Sequence, residues 1–215
     1  MASGLRTAIK TAMAPILYRY PPFGLKPERL AVYLQVLLET APLGGDVAEI
    51  GCNVGGTAIV ARQALRGVGW TGTYTCFDTF GGFVKEQFDR DAAKGTKTFK
   101  RDLFSNNSKA LVRKVTAQHG CGDIQLVEGD ATRLDPASLS RYAVVLADID
   151  LSDPTYEVMK LFWPRVLPGG YLLVDDCVEN RHWLAKEGYQ QFCRENGLAE
   201  AYRYGLGILA KPAGK

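Results

Sequence analysis

Between residues 47 and 211 the chain alternates short β-branched or apolar runs with stretches of helical periodicity, and this alternation limits its fold more than any other feature. Strand-like runs are read at 47–50, 73–77, 124–127, 142–149 and 171–174, and helical stretches at 57–65, 109–118, 155–163 and 183–194. Parallel strands need crossover connections rather than tight turns, so this order predicts a largely parallel sheet with helices on its faces. The expected fold class is α/β, doubly wound. The chain's end departs from the alternation. Residues 201–204 and 208–211 are separated only by Gly205-Leu206-Gly207, which predicts a hairpin and an antiparallel edge to the sheet.

A segment of different character comes first. Leu5, Ile9, Ala12, Met13, Ile16 and Leu17 recur at helical spacing, as in an arm that packs on its own domain or on a partner subunit. Tyr20-Pro21-Pro22-Phe23-Gly24 must be extended or turning, because proline fixes its own φ and restricts the residue before it, so it reads as a hinge. Leu30, Val32, Tyr33, Val36 and Leu37 then predict an amphipathic helix over 27–40, ahead of the Gly44-Gly45 turn. The expected organisation is a helical arm over 1–43 and one domain over 44–215, in keeping with a 215-residue chain at roughly 100–200 residues per domain. Within that domain, 81–108 carries ten charges from Lys85 to Asp102, with Phe83, Phe88, Phe99 and Phe104 among them. It reads either as a lid or binding loop, or as a solvated surface helix.

Composition narrows function by exclusion. Twenty-six basic against 23 acidic side chains leave +3, too small a balance to point to nucleic acid or an anionic membrane surface. The five cysteines, Cys52, Cys76, Cys121, Cys177 and Cys193, are odd in number and contain no C-x-x-C pair. That argues against a disulfide framework or zinc knuckle and for a reducing, cytoplasmic setting. No apolar run approaches the roughly 18–20 residues that cross a bilayer, and the apolar patch 12–18 is broken by Pro15 and lacks a cleavage-site pattern. Arg6, Lys10 and Arg19 precede the first acidic residue, Glu28, a bias shared with transit peptides, but the helical spacing of the arm is the simpler explanation. Bulk charge itself names no partner, and a local basic patch remains open.

In an open parallel sheet, ligands bind outside the carboxyl ends of the strands. The first strand ends in Glu49-Ile50-Gly51-Cys52-Asn53-Val54-Gly55-Gly56-Thr57, an acid followed by a glycine-rich turn into a helix, where free amides favour a small polar or anionic group. Gly51 and Gly55 are four apart, unlike G-x-G-x-x-G, and no lysine follows as in a P-loop, so dinucleotide and triphosphate ligands lose ground. Glu49 suits instead a ligand carrying an ammonium group. The second strand ends in Cys76-Phe77-Asp78, where a carboxylate can accept both hydroxyls of a ribose. After the third comes Glu128-Gly129-Asp130-Ala131, where Asp130 can take the exocyclic amine of an adenine. Acids at three successive strand ends describe an adenosine-containing ligand with a cationic amino-acid end. Ala147-Asp148-Ile149-Asp150 and Val174-Asp175-Asp176 close the next two strands. Asp150, Asp175 and Asp176 together repel unless protonated or holding a cation, and Mg²⁺ fits because it keeps waters and needs few carboxylates. Alternatively, one or two of these acids cap the following helices.

These residues resemble the class I S-adenosylmethionine-dependent methyltransferases, and within them the metal-dependent macrocin O-methyltransferase group, which modifies sugars and other small hydroxylated natural products. The resemblance runs from about Gly45 to Gly197. Gly45-Asp46-Val47-Ala48-Glu49-Ile50-Gly51 with Gly55-Gly56-Thr57-Ala58 is similar to the family's first motif, and Asp78-Thr79-Phe80-Gly81-Gly82-Phe83 to its second-strand signature. Asp148-Ile149-Asp150-Leu151-Ser152-Asp153-Pro154-Thr155, Trp163-Pro164-Arg165 and Pro168-Gly169-Gly170 leading into Asp175-Asp176 follow in order.

The resemblance implies a Rossmann-like, seven-stranded sheet that binds S-adenosylmethionine. Glu49, Gly51 and Asn53 are implied at the methionine end, Asp78 at the ribose and Asp130 with Ala131 at the adenine, with Gly55, Thr57, Thr79, Phe80 and Asp148 completing the cofactor site. It also implies Asp150, Asp175 and Asp176 as ligands of Mg²⁺ or a similar ion, with Asp150 as proton acceptor and 81–108 as substrate lid. In the family the metal holds two substrate oxygens and lowers the pKa of the accepting hydroxyl. Ser152 stands where many relatives carry an aromatic residue, and no lysine follows Asp150 where catechol-type relatives place a base, so a catechol is not the expected acceptor. His182, six residues beyond Asp176, is a further candidate base or substrate contact, whereas His119 before Gly120 reads as a helix end. Cys52 and Cys177 flank the motifs as small buried side chains. A metal-independent methyltransferase with His182 or Asp150 as base, and a non-catalytic S-adenosylmethionine-binding protein, are the alternatives. A nicotinamide-dependent oxidoreductase is disfavoured by the glycine spacing. The N-terminal arm suggests a homodimer.

Overall fold

A computed structural model of the chain describes residues 2–179 and 183–214. Its elements run α1 (Ala2–Ala12), α2 (Ala14–Leu17), α3 (Pro27–Thr40), β1 (Asp46–Ile50), α4 (Gly56–Gly67), β2 (Tyr74–Asp78), α5 (Lys85–Lys94), α6 (Lys109–Gln118), β3 (Gln125–Glu128), β4 (Tyr142–Ala147), α7 (Ser152–Phe162), β5 (Val166–Val174), α8 (Ala185–Glu195), β6 (Tyr202–Arg203) and β7 (Leu206–Ala210). The seven strands make one sheet in the order β3-β2-β1-β4-β5-β7-β6. Pairing is parallel from β3 across to β5, and β7 runs antiparallel to both β5 and β6. The winding order reverses between β1 and β4, which opens a crevice outside their carboxyl ends.

The central strands are apolar on both faces because both faces are covered. Along β4, Val144 and Leu146 join one core with Val36 and Leu37 of α3, Ile59 of α4 and Val112 of α6, while Val145 and Ala147 join a second core with Val158 and Phe162 of α7 and Phe192 of α8. Helix α3 starts at Pro27, where a missing N–H costs nothing, and buries Arg29, Val32, Tyr33, Val36, Leu37 and Thr40 as one stripe.

Three local expectations change. The hairpin turn is not Gly205-Leu206-Gly207: Tyr204 and Gly205, with φ of 52° and 88°, form a two-residue turn, and Leu206 and Gly207 already pair with Arg203 and Tyr202. Left-handed residues at both turn positions match the twist of the flanking strands, so the tighter turn prevails. Strand β5 begins five residues earlier than its β-branched run, through Pro168-Gly169-Gly170, with a break in register against β4. The arm does not pack its apolar stripe on its own domain: Leu5, Ile9, Met13, Ile16 and Leu17 are exposed. Ala14 joins the main core with Tyr18 packed against it, and polar bonds tie the arm to α6, from Lys114 Nζ to the Thr11 carbonyl (2.7 Å), and from Gln118 Nε2 and His119 Nε2 to the Tyr18 carbonyl (both 2.9 Å). Among the described residues no helix is long and apolar enough to cross a membrane, and all five cysteines are free and buried.

The charged stretch after β2 contains α5, which docks through Phe88 and Asp91, both fully buried. Asp91 accepts from Ser152 N (2.9 Å), Ser152 Oγ (2.6 Å) and Thr96 Oγ1 (3.1 Å). Lys94, one turn on, donates to Ser152 Oγ (2.9 Å) and pairs with Asp153. Helix α7 has Leu151 at its N-cap, which offers no side-chain acceptor, so Asp91 caps α7 from a different element. Asp91→Ala should therefore lower unfolding free energy by about 2–4 kcal/mol, since it strands buried donors and removes a charge-assisted cap. Asp91→Asn, which keeps one acceptor oxygen, should lose less. Urea denaturation reads both, and an Asp91→Ala loss below roughly 0.5 kcal/mol would show that α7 is capped from elsewhere.

Candidate functional site

The crevice at the carboxyl ends of the parallel strands is a cavity of about 320 Å³. Glu49, Gly51, Asn53 and Thr57 line it after β1, Asp78 and Thr79 after β2, and Asp130 and Ala131 after β3. Asp148 and Asp150 follow β4, and Asp175 and Asp176 follow β5. Two expected cofactor residues stand behind this wall. Gly55 faces Val112 and Thr116 of α6, and Phe80 is buried in the apolar core, reaching the site only through its backbone N–H. His182 lies outside the described residues. His119 caps the end of α6, as its place before Gly120 suggested.

Two glycines set how closely the backbone closes around the cavity. Gly51 has φ of 87°, and a Cβ there would run into the Asp148 carbonyl oxygen, so the ends of β1 and β4 approach as only glycine allows. Gly56 begins α4, and a Cβ there would collide with the backbone of Pro22 and Phe23. The proline hinge is thus laid across the N-terminus of α4, and Pro22, Gly24 and Lys26 join the lining.

Glu49 is buried and accepts from the Tyr74 hydroxyl, which is itself 2.8 Å from the Tyr33 hydroxyl. Burial raises the Glu49 carboxyl to a pKa of about 7, against the Tyr74 hydrogen bond and with the Asp78 charge adding to the shift. Asp78 is pushed up by burial and held down by two backbone amides, Phe80 N on Oδ1 (2.7 Å) and Asn53 N on Oδ2 (2.9 Å). The Asn53 carbonyl accepts from Asn107 Nδ2 at 2.7 Å, which braces the turn from the segment before α6. Asp130 caps the 3-10 turn Ala131–Arg133 through Thr132 N (3.0 Å) and also accepts from Gln87 Nε2 of α5 (2.8 Å).

The other half of the cavity is more acidic. Burial, then the facing carboxylates, pushes Asp148 and Asp150 well above the usual range, and Asp150 is in hydrogen-bonding contact with Asp176. Asp175 rises to about 6, by burial first and the Asp176 charge second, with the guanidinium of Arg29 opposing. Arg29 Nη1 donates to Oδ1 of both Asp175 (2.7 Å) and Asp176 (2.8 Å), while its Nε donates to the Tyr204 carbonyl (3.1 Å). Lys100, buried in the 3-10 turn Thr98–Lys100, places its ammonium 3.7 Å from the centre of the Trp183 indole. Burial lowers its pKa, and the charges of Asp150 and Asp176 oppose that shift. Trp183 also meets Phe83, which touches Phe104, giving the outer end of the cavity an aromatic wall. Six described non-glycine residues are left-handed, and four of them, Asn53, Phe104, Asp150 and Asp176, line the cavity, so backbone strain concentrates where the ligands would sit.

Among the described residues no group of three or more His, Cys, Asp or Glu side chains is gathered to cage a metal ion, and Arg29 holds two of the three expected ligands. The donor chemistry nevertheless fits a hard divalent ion. Every candidate donor is a carboxylate oxygen, Arg29 engages only Oδ1 of each partner, and Mg²⁺ commonly takes one or two carboxylates with waters and substrate oxygens.

Sequence reasoning missed Arg29, Lys100, Asn107 and Trp183. Only Arg29 had a visible signal: it falls at helical spacing from Val32, Tyr33 and Val36, a charged residue on a buried stripe.

The strand order with β7 reversed, and a crevice with acids closing five strands, define a Rossmann-like methyltransferase fold. Residues 29–203 match the family model described as macrocin O-methyltransferase (TylF), and the chain belongs to that family. It is 27% identical over 164 residues to the mycinamicin III 3''-O-methyltransferase of Micromonospora griseorubida, covering 73% of this chain and 63% of that protein. It therefore spans less than two thirds of that relative's length. In fold it is similar to the O-methyltransferase NovP, at 20% identity and a TM-score of 0.71 over 86% of this chain and 80% of that one. The calicheamicin methyltransferase CalS11 is also similar, at 21% identity and a TM-score of 0.69 over 97% and 91%.

The raised Glu49 carboxyl sets a pH dependence. Between 4.5 and about 7 the folded protein keeps a proton there that the unfolded chain has released, so the stability Glu49 contributes falls as pH rises through that window. The difference in unfolding midpoint between wild type and Glu49→Gln, followed from about pH 5 to 8, should shrink and then turn against wild type with rising pH. A difference that does not vary with pH would contradict a protonated, buried Glu49.

Proposed function

We propose that the protein is an S-adenosylmethionine-dependent, Mg²⁺-dependent O-methyltransferase acting on a hydroxyl of a small natural product, such as a sugar. The observation that carries this reading is the convergence in one cavity of Glu49, Asp78 and Asp130 with Asp148, Asp150, Asp175 and Asp176, in a member of the macrocin O-methyltransferase family. Glu49 receives the ammonium of the methionine end, beside Gly51, Asn53 and Thr57. Asp78, each oxygen fixed by a backbone amide, accepts the ribose hydroxyls next to Thr79, and Asp130 with Ala131 meets the adenine. When bound, the cofactor supplies the sulfonium methyl, and a divalent ion held by Asp150, Asp175 and Asp176 lowers the pKa of the accepting hydroxyl. Asp150, buried and lining the cavity, takes the hydroxyl proton. Phe83, Phe104 and Trp183 exclude water and hold the acceptor in line.

The names of two relatives, a mycinamicin III 3''-O-methyltransferase and a calicheamicin methyltransferase, favour a hydroxylated natural product as acceptor. The exposed apolar arm fits a second copy of this chain, and the buried free thiols fit a cytoplasmic setting. The bond of Arg29 to Asp175 and Asp176 favours one second reading, in which the guanidinium alone neutralises the pair and Asp150 acts as base without a metal.

Calorimetric titration with S-adenosylmethionine, combined with turnover assays with Mg²⁺ and with chelator, tests both readings. Glu49→Ala and Gly56→Ala should each weaken cofactor binding about tenfold or more, the first by removing the ammonium's partner and the second by forcing the hinge off α4. Asp150→Asn should keep cofactor binding and lose roughly 100-fold or more in kcat. Turnover unaffected by chelator would favour the metal-free reading, and wild type that does not bind the cofactor would remove the methyltransferase assignment altogether.

A further inference from the structure

We propose that Arg29 is a positioning residue of the acidic site, orienting Asp175 and Asp176 so that their second oxygens are presented to a divalent cation; this rests on the metal-dependent reading above. Arg29 is 3% exposed, and a charged side chain buried to that degree must be paired. A single nitrogen, Nη1, bonds one oxygen on each of two consecutive aspartates, which fixes the angle between the two carboxylates. Nε of the same planar group is tied to the Tyr204 carbonyl in the β6–β7 turn, while the residue's own backbone sits in the first turn of α3. The guanidinium is held from two elements that are far apart in sequence and cannot follow the carboxylates if they rotate.

The backbone beneath the pair is already set. Asp175 N donates to the Ala147 carbonyl (2.9 Å), and Asp176 is left-handed with φ of 55°. Side-chain rotation is the remaining freedom, and Arg29 removes it. Neutralisation alone does not account for the contact, because Asp148 and Asp150 crowd the same space and Arg29 bonds neither of them. Lysine would keep the charge, but it is a point charge on a flexible stem and lacks the planar fork that reaches two carboxylates and a carbonyl together.

Positioning and neutralisation predict opposite signs. A cation that merely neutralises the acids competes with a metal, so its removal strengthens metal binding; a residue that aims the ligands weakens metal binding when lost. The test is Mn²⁺ binding to the full chain, read by the electron paramagnetic resonance of free Mn²⁺, for wild type, Arg29→Lys and Arg29→Met, with S-adenosylhomocysteine titrated alongside. Both variants should bind Mn²⁺ about tenfold or more weakly, as outer-shell substitutions do, while S-adenosylhomocysteine binding stays within about twofold. Arg29→Lys, which keeps the charge and most of the volume, carries the test if Arg29→Met does not fold. Mn²⁺ binding by Arg29→Lys equal to or tighter than wild type overturns the proposal alone. Wild type that binds S-adenosylhomocysteine but not Mn²⁺ overturns the metal reading and this proposal with it.

Discussion

Four aspartates crowd the ends of β4 and β5, Asp150 and Asp175 buried and Asp148 and Asp176 half-buried, and their mutual repulsion is the constraint that the rest of the site answers. Carboxylates taken out of water need protons or cations. The fold brings two cations from elements that have no other reason to meet. Arg29 arrives from the first turn of α3 and Lys100 from the segment between α5 and α6. The β6–β7 turn, which adds only two strands at the sheet's edge, also lends the Tyr204 carbonyl that anchors the guanidinium. The antiparallel edge therefore closes the sheet and also braces the acidic site.

The two halves of the cavity manage their charge differently. On the β1–β2 side the acids are met by fixed dipoles: backbone amides on Asp78 and a phenol on Glu49, itself backed by a second phenol. Such groups orient a carboxyl group without supplying a counter-charge. On the β4–β5 side the partners are whole charges on side chains, and one carboxyl shares a hydrogen bond with another. The crevice between them exists because the winding order reverses between β1 and β4, and Gly51 lets the two strand ends close to contact.

How much of this was legible in the sequence depends on the range of the interaction. Helix α3 matches the span its apolar spacing predicts, and α6 likewise, because local periodicity and flanking breakers determine both. The central strands show as β-branched runs, and the acids at their ends follow from the rule that ligands meet carboxyl ends. Residues acting across the fold left little trace. Nothing near Asp91 shows that it caps a helix 61 residues away, and nothing near Lys100 announces an indole 83 positions on. Gly55 and Phe80 sit inside motifs, but a motif names a turn, and only some residues of a turn face the cavity.

Ser152 joins these threads. It is a buried hydroxyl at the first position of α7. In the structure its amide and hydroxyl are both held by the buried carboxylate of Asp91, and Lys94 adds a third bond to the same oxygen. Gly188 of α8 lies so close to the Ser152 carbonyl that a Cβ there would collide with it, so the two helices approach at this residue as only glycine allows. Two residues upstream, Asp150 is left-handed, and Leu151 joins that strained residue to the capped helix. Helix α7, which follows Asp150, is thus anchored by the segment that also supplies Gln87 to Asp130 and Phe83 to the aromatic wall. One charged stretch thus reaches the Asp130 end of the cavity, its aromatic wall and the start of α7 beside Asp150, and the hydroxyl of Ser152 is part of that connection.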